Sequence, residues 1–144
     1  MDDVASILEA KGSEVLRIDA SATVLDAVRR MVESNVGSLL VTEEGKVAGI
    51  VTERDYLRRV TVEGRTEEET KVREIMSAPL VYVTPDTSID ECMAVMTERR
   101  IRHLPVLTDD REVAGIVSIG DVVKFQSKQQ SSQIRLLTDY ISSS

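Results

Sequence analysis

At 144 residues with a formal net charge of −7, the chain suffices for one compact unit or two small ones sharing a core, and its acidity argues against a nucleic-acid partner. Hydrophobic residues at 42% against 30% charged are the balance of a soluble domain, and 3% aromatic with no Trp leaves the core to Val, Ile, Leu, Met and Ala. A single Cys92 excludes internal disulfides and cysteine-based zinc sites and fits a reducing compartment. The start Met1-Asp2-Asp3 is acidic where a secretory signal would be basic, and no apolar run nears the roughly 20 residues that span a bilayer. No membrane partner and a cytoplasmic location are expected; an organellar form without its transit peptide would read the same.

In chain order, Val4-x-x-Ile7-Leu8 predicts an apolar helical turn leading into a short strand, Leu16 to Ile18. A helix capped by Ser21 or Thr23 follows, with Val24, Ala27, Val28 and Met31 on one face. Two strands, Ser38 to Thr42 and Lys46 to Val51, flank the turn residues Glu43-Glu44-Gly45 and predict a hairpin. At Thr52 the last strand feeds a closing helix, with Thr52 at the N-cap and Asp55 at the third helical position. Thr61 to Thr70, with Gly64 and Glu67-Glu68-Glu69, reads as a solvated linker or helix start.

The chain then says the same thing again. Val72-x-x-Ile75-Met76 leads into Val81 to Val83, and a helix capped by Thr87 or Ser88 carries Ile89, Cys92, Met93 and Met96. Strands Arg102 to Leu107 and Glu112 to Val117 flank Thr108-Asp109-Asp110-Arg111, and Ser118 to Asp121 opens the closing helix. Met31 falls on Met96 at an offset of 65 and Asp55 on Asp121 at 66, while Val47-Ala48-Gly49-Ile50-Val51 returns unchanged as Val113-Ala114-Gly115-Ile116-Val117. The expected division is a first repeat with its leading helix over 1–62, a linker over 63–71, a second repeat over 72–126, and a last helix over 127–144. Ile134, Leu137, Thr138 and Ile141 stripe that helix and need cover, from the chain's own body or a second subunit.

Two units each closing on Gly-h-h-[Ser/Thr]-x-x-Asp (h apolar) resemble a tandem pair of cystathionine β-synthase (CBS) domains, a Bateman module. Asn35-Val36-Gly37-Ser38 and Ile101-Arg102-His103-Leu104-Pro105-Val106 match further, although the family's Pro-Val reads Leu40-Val41 in the first copy. The resemblance implies an α+β fold of two β-α-β-β-α repeats related by a pseudo-two-fold axis. It also implies two clefts for adenine nucleotides (AMP first; ADP, ATP, NAD or S-adenosylmethionine besides) and pairing into flat homodimers. The expected role is regulatory and not enzymatic, since one His and one Cys supply neither a nucleophile–base pair nor a metal cluster. The output would pass to a partner enzyme or transporter, or through dimer geometry. The alternative is a scaffold for protein–protein interaction whose sites take no ligand.

The residues suit a nucleotide chemically. Vicinal ribose hydroxyls match the two oxygens of Asp55 or Asp121, in charge-assisted bonds of about 1.5–3 kcal/mol apiece. Thr52 and Ser118 stand at helix N-termini, which attract phosphate, with Arg54, Arg58 and Arg59 or Arg99, Arg100, Arg102 and His103 as nearby cations. Ile18 with Ile50, and Val83 with Ile116, are placed as adenine walls. By resemblance, the first site adds Asn35, Val36 and Gly37; the second adds Thr84 and Asp86 from the loop after its first strand, and Pro105. The structural alternatives stand beside these. Thr52-x-x-Asp55 and Ser118-x-x-Asp121 also read as capping boxes, Arg99 to Arg102 follow a helix C-terminus, and His103 as a half-buried strand residue. Arg54 stands where the other copy has Gly120, so the two sites need not take one ligand.

Overall fold

The computed structural model describes residues 2–129, so the stripe over Ile134 to Ile141 lies outside the described residues. The chain divides into two compact units, one of residues Glu14–Val81 and the other of those up to Ser13 together with those from Tyr82 onward. Repeat boundaries in sequence and unit boundaries in space therefore differ. In space the leading helix α1 (Val4–Lys11) lies in the unit that holds the second repeat.

In the unit Glu14–Val81, β1 (Arg17–Asp19) runs parallel to β2 (Ser38–Glu43), which pairs antiparallel with β3 (Lys46–Thr52). Between β1 and β2, α2 (Val24–Ser34) crosses over. Thr23, not Ser21, caps it, accepting the Asp26 N–H at 3.2 Å, while the Ser21 hydroxyl turns back to Asp19 at 2.6 Å. The helix ends at Asn35, left-handed at φ 53°, a conformation that Asn tolerates better than most residues. Its apolar stripe closes the core, with Val24, Ala27 and Met31 set against Ile18, Leu39, Val41 and Val51. After β3 come α3 (Glu53–Tyr56) and a π-helical turn, Leu57–Thr61, which buries Val60.

The other unit repeats the plan with one strand curtailed. Here α5 (Ile89–Arg99) is capped by Ser88, which accepts the Glu91 N–H at 3.1 Å. Strands β4 (His103–Leu107) and β5 (Val113–Ser118) form the hairpin, and a closing helix, α6, spans 119–129. Both hairpins carry a bulge at the matching place, Val41/Thr42 and Val106/Leu107. The expected first strand over Val81 to Val83 shrinks to one parallel bridge, Val83 to Val106. Proline explains the loss. The Leu40 N–H donates to the Leu16 carbonyl at 3.1 Å, and the position matching Leu40 is Pro105, which has no N–H to give.

Each unit is completed by the apolar segment that precedes the other repeat. In one, Val4 N–H donates to Thr87 O and Ala5 N–H to Pro85 O, both at 2.9 Å. In the other, α4 (Val72–Ile75) docks at the matching places, Val72 to Ala22 O at 2.8 Å and Arg73 to Ala20 O at 3.0 Å. Val4, Ile7, Val72 and Ile75 are all at most 2% exposed, which makes these segments core rather than trimming. The duplicated glycine is what admits them. A Cβ on Gly49 would lie 2.6 Å from the Ser77 carbonyl oxygen, and one on Gly115 2.6 Å from Leu8 Cδ2.

Candidate functional site

The corner at the end of each hairpin is a complete capping box. Thr52 N–H donates to Asp55 Oδ2 at 2.9 Å and Asp55 N–H to Thr52 Oγ1 at 3.3 Å; Ser118 and Asp121 do the same at 2.9 and 3.1 Å. Strand register decides what faces each corner. His103 pairs with Ser118 and Pro105 with Ile116, so these four side chains share one sheet face that ends at Asp121. In the other unit the corresponding face carries Ser38, Leu40, Ile50 and Thr52, ending at Asp55.

Register also separates the two expected pairs of walls. Ile18 pairs with Val41, which pairs with Gly49, whereas Ile50 pairs with Leu40, so Ile18 and Ile50 point to opposite faces. Ile18 lies in the core under α2. Val83 bridges Val106, opposite Gly115, and is likewise set apart from Ile116. The cause is the two-residue side-chain period: residues one step out of register cannot share a face, whatever their hydrophobicity.

The remaining residues fall elsewhere. Asn35, Val36 and Gly37 line a separate cleft of about 460 Å³ between α2 and α3, with Val28, Met31, Val32, Glu53, Tyr56 and Leu57. Arg54, Asp86 and Arg102 are exposed. Thr84 closes its own loop, its N–H donating to Thr87 Oγ1 at 3.0 Å and its hydroxyl bonding to Asp86. Cys92 is buried in α5, and burial pushes its thiol up, away from thiolate chemistry.

Two contacts at the corners have no counterpart in the motif pattern. Ser77 forms a backbone bridge with Ile50 (Ser77 N–H to Ile50 O at 2.8 Å, Ile50 N–H to Ser77 O at 3.2 Å), and its hydroxyl donates to Asp55 Oδ1 at 3.3 Å. At the second corner a side chain takes that place: Lys11 Nζ donates to the Ile116 carbonyl at 2.8 Å and to Asp121 Oδ2 at 2.6 Å. Burial alone would raise the Asp121 carboxyl. The hydrogen bond from Lys11, the Ser118 N–H and the lysine's charge outweigh burial and hold it below the usual aspartate range. Both partners lie where each apolar segment ends, a position signalled only by the repeat of the segments themselves.

Duplicated hairpin-and-helix units with this closing corner define a paired domain. The sequence profile of the CBS domain matches residues 4–62 and again 72–128, so the chain belongs to the CBS-domain family as a tandem pair. It is 40% identical over 96% of its length to a mitochondrial CBS domain-containing protein, CBSX3, of Arabidopsis thaliana, covering 71% of that protein. It is 32% identical to the CBS domain-containing protein YhcV of Bacillus subtilis, over 90% of this chain and 91% of that one. Among solved structures, a putative signal-transduction protein with CBS domains from Burkholderia ambifaria is 49% identical, with a TM-score of 0.81 over 85% of this chain and 91% of that one. A CBS-CP12 protein from bloom-forming cyanobacteria, described as hexameric, is 31% identical, with a TM-score of 0.77 over 85% of this chain and 70% of that one. Among the described residues no helix is long and apolar enough to cross a membrane.

Proposed function

We propose that this chain is a regulatory, non-enzymatic module that binds an adenine nucleotide at its second corner and passes occupancy on through homodimer geometry or a partner enzyme or transporter. What supports this most is the grouping of His103, Pro105, Ile116 and Ser118 on one face beside the start of α6, with Asp121 in its first turn. Pro105 and Ile116 offer an apolar wall for a purine, and Asp121 offers oxygens for ribose hydroxyls. The positive end of the α6 dipole suits a phosphate. The first corner is the poorer candidate, because Ser77 holds Ile50 through its backbone and Asp55 through its hydroxyl. AMP is the first ligand to try, with ADP, ATP, NAD and S-adenosylmethionine alongside. The expected location is the cytoplasm; the Arabidopsis relative is described as mitochondrial.

Thermal melts with each compound test the reading. A ligand at a hundredfold excess over its Kd adds about 2.7 kcal/mol, or roughly 5–10 °C for a protein of this size. No shift with any of the five would leave the second reading, a ligand-free interaction scaffold. That reading draws on the cleft between α2 and α3, beside which Val32 and Leu57 are 74% and 57% exposed.

A further inference from the structure

Lys11 stands at the end of α1, where Gly12 at φ 95° stops the helix and donates its N–H back to the Leu8 carbonyl at 2.8 Å. From there the ammonium reaches two acceptors, Ile116 O at 2.8 Å and Asp121 Oδ2 at 2.6 Å. An incoming nucleoside needs acceptors of this kind, a strand carbonyl for a base amine and a carboxylate for sugar hydroxyls. The space left between α1 and α6, lined by Ile7, Ala10, Lys11, Lys124 and Phe125, is about 70 Å³. Ligand sites commonly hold roughly 300–1,000 Å³, so the space on the Lys11 side of Asp121 does not itself admit a nucleotide.

We infer that Lys11 is a tethered competitor at the second corner, occupying the ligand's acceptors until a nucleotide displaces it. This rests on the nucleotide reading above and adds how the site is regulated. The first corner shows why a lysine matters. There Ser77 holds Ile50 with main-chain N–H and C=O groups, which cannot leave without breaking that bridge, and reaches Asp55 with its hydroxyl. Lys11 holds on only through the end of a flexible four-carbon stem whose side chain is 36% exposed. It can swing out while Val4 and Ile7 stay buried and α1 keeps its seat. Binding therefore reports on the end of α1, the point from which the chain leaves one unit for the other.

Isothermal titration with ATP on the wild type, Lys11→Ala and Lys11→Met, and on the double variant Lys11→Ala/Asp121→Asn, separates the possibilities. Both single variants are expected to bind about tenfold more tightly, and the double variant to lose that gain. Lys11→Met keeps the apolar stem, so a gain in both single variants belongs to the charge and not to loosened packing. Equal or weaker affinity in both single variants, with ATP still bound, overturns the competitor role and leaves nucleotide binding standing. Absence of binding in every variant overturns the nucleotide reading, and the competition with it.

Discussion

The two units share a plan but close their corners with different chemistry. One uses backbone: Ser77 bridges Ile50 on both sides and adds a hydroxyl to Asp55. The other uses a lysine side chain to reach the matching carbonyl and carboxylate. Duplication preserved the apolar positions, the caps and the glycine that makes room. It left free the one group that plugs each corner, which is where two copies of one fold can acquire different tasks.

The exchange of leading segments carries the largest effects. Ile7→Ala and Ile75→Ala each remove a side chain at most 2% exposed and should cost about 2–5 kcal/mol in denaturant unfolding. Amide hydrogen exchange gives the sharper readout. Ile7→Ala should loosen β4 and β5, and Ile75→Ala β2 and β3; the reverse pattern would contradict the exchange.

Alanine at the repeated glycine compares the plugs themselves. At Gly49 the new methyl meets the Ser77 carbonyl, which cannot yield without moving the chain, and about 3 kcal/mol is expected. At Gly115 it meets the end of the Leu8 side chain, which can rotate, and about 1 kcal/mol is expected. Equal costs, again by denaturant unfolding, would mean that the two segments are held alike.

The smallest effect belongs to acid. The carboxyl of Asp121 is held low in the folded state, so its contribution is present above the ordinary aspartate pKa of about 4 and fades as pH falls through the lower folded value. Because the pair with Lys11 is partly exposed, under about 1 kcal/mol is at stake. Melts between about pH 5 and pH 2 should show the wild type losing stability faster than Asp121→Asn. Parallel curves would remove the ion pair from the account.

Much of this was legible from residues. Hydrophobic spacing located α2 and α5, the turn residues located both hairpins, and the offset of Asp55 and Asp121 located both corners. Local patterns decided less where geometry is non-local. Ser21 and Thr23 are equal candidates for a cap until Asp19 claims the first. Ile18 and Ile50 look alike as walls until pairing with Val41 and Leu40 sends them to opposite faces. Pro105 is visible in the chain, yet its cost to the strand at Val83 depends on which carbonyl lacks a donor. The crossing of α1 and α4 into the other repeat's unit has no short-range signal at all, since an apolar turn docks equally well on either copy of a duplicated body.

The central claim is that the lysine-plugged corner takes the ligand and the backbone-plugged one does not. A ¹H–¹⁵N correlation titration with ATP reads both at once through their glycine amides. Gly115 and Gly120 should move saturably while Gly49 stays still. Movement of Gly49, or no movement of Gly115 and Gly120, would contradict it.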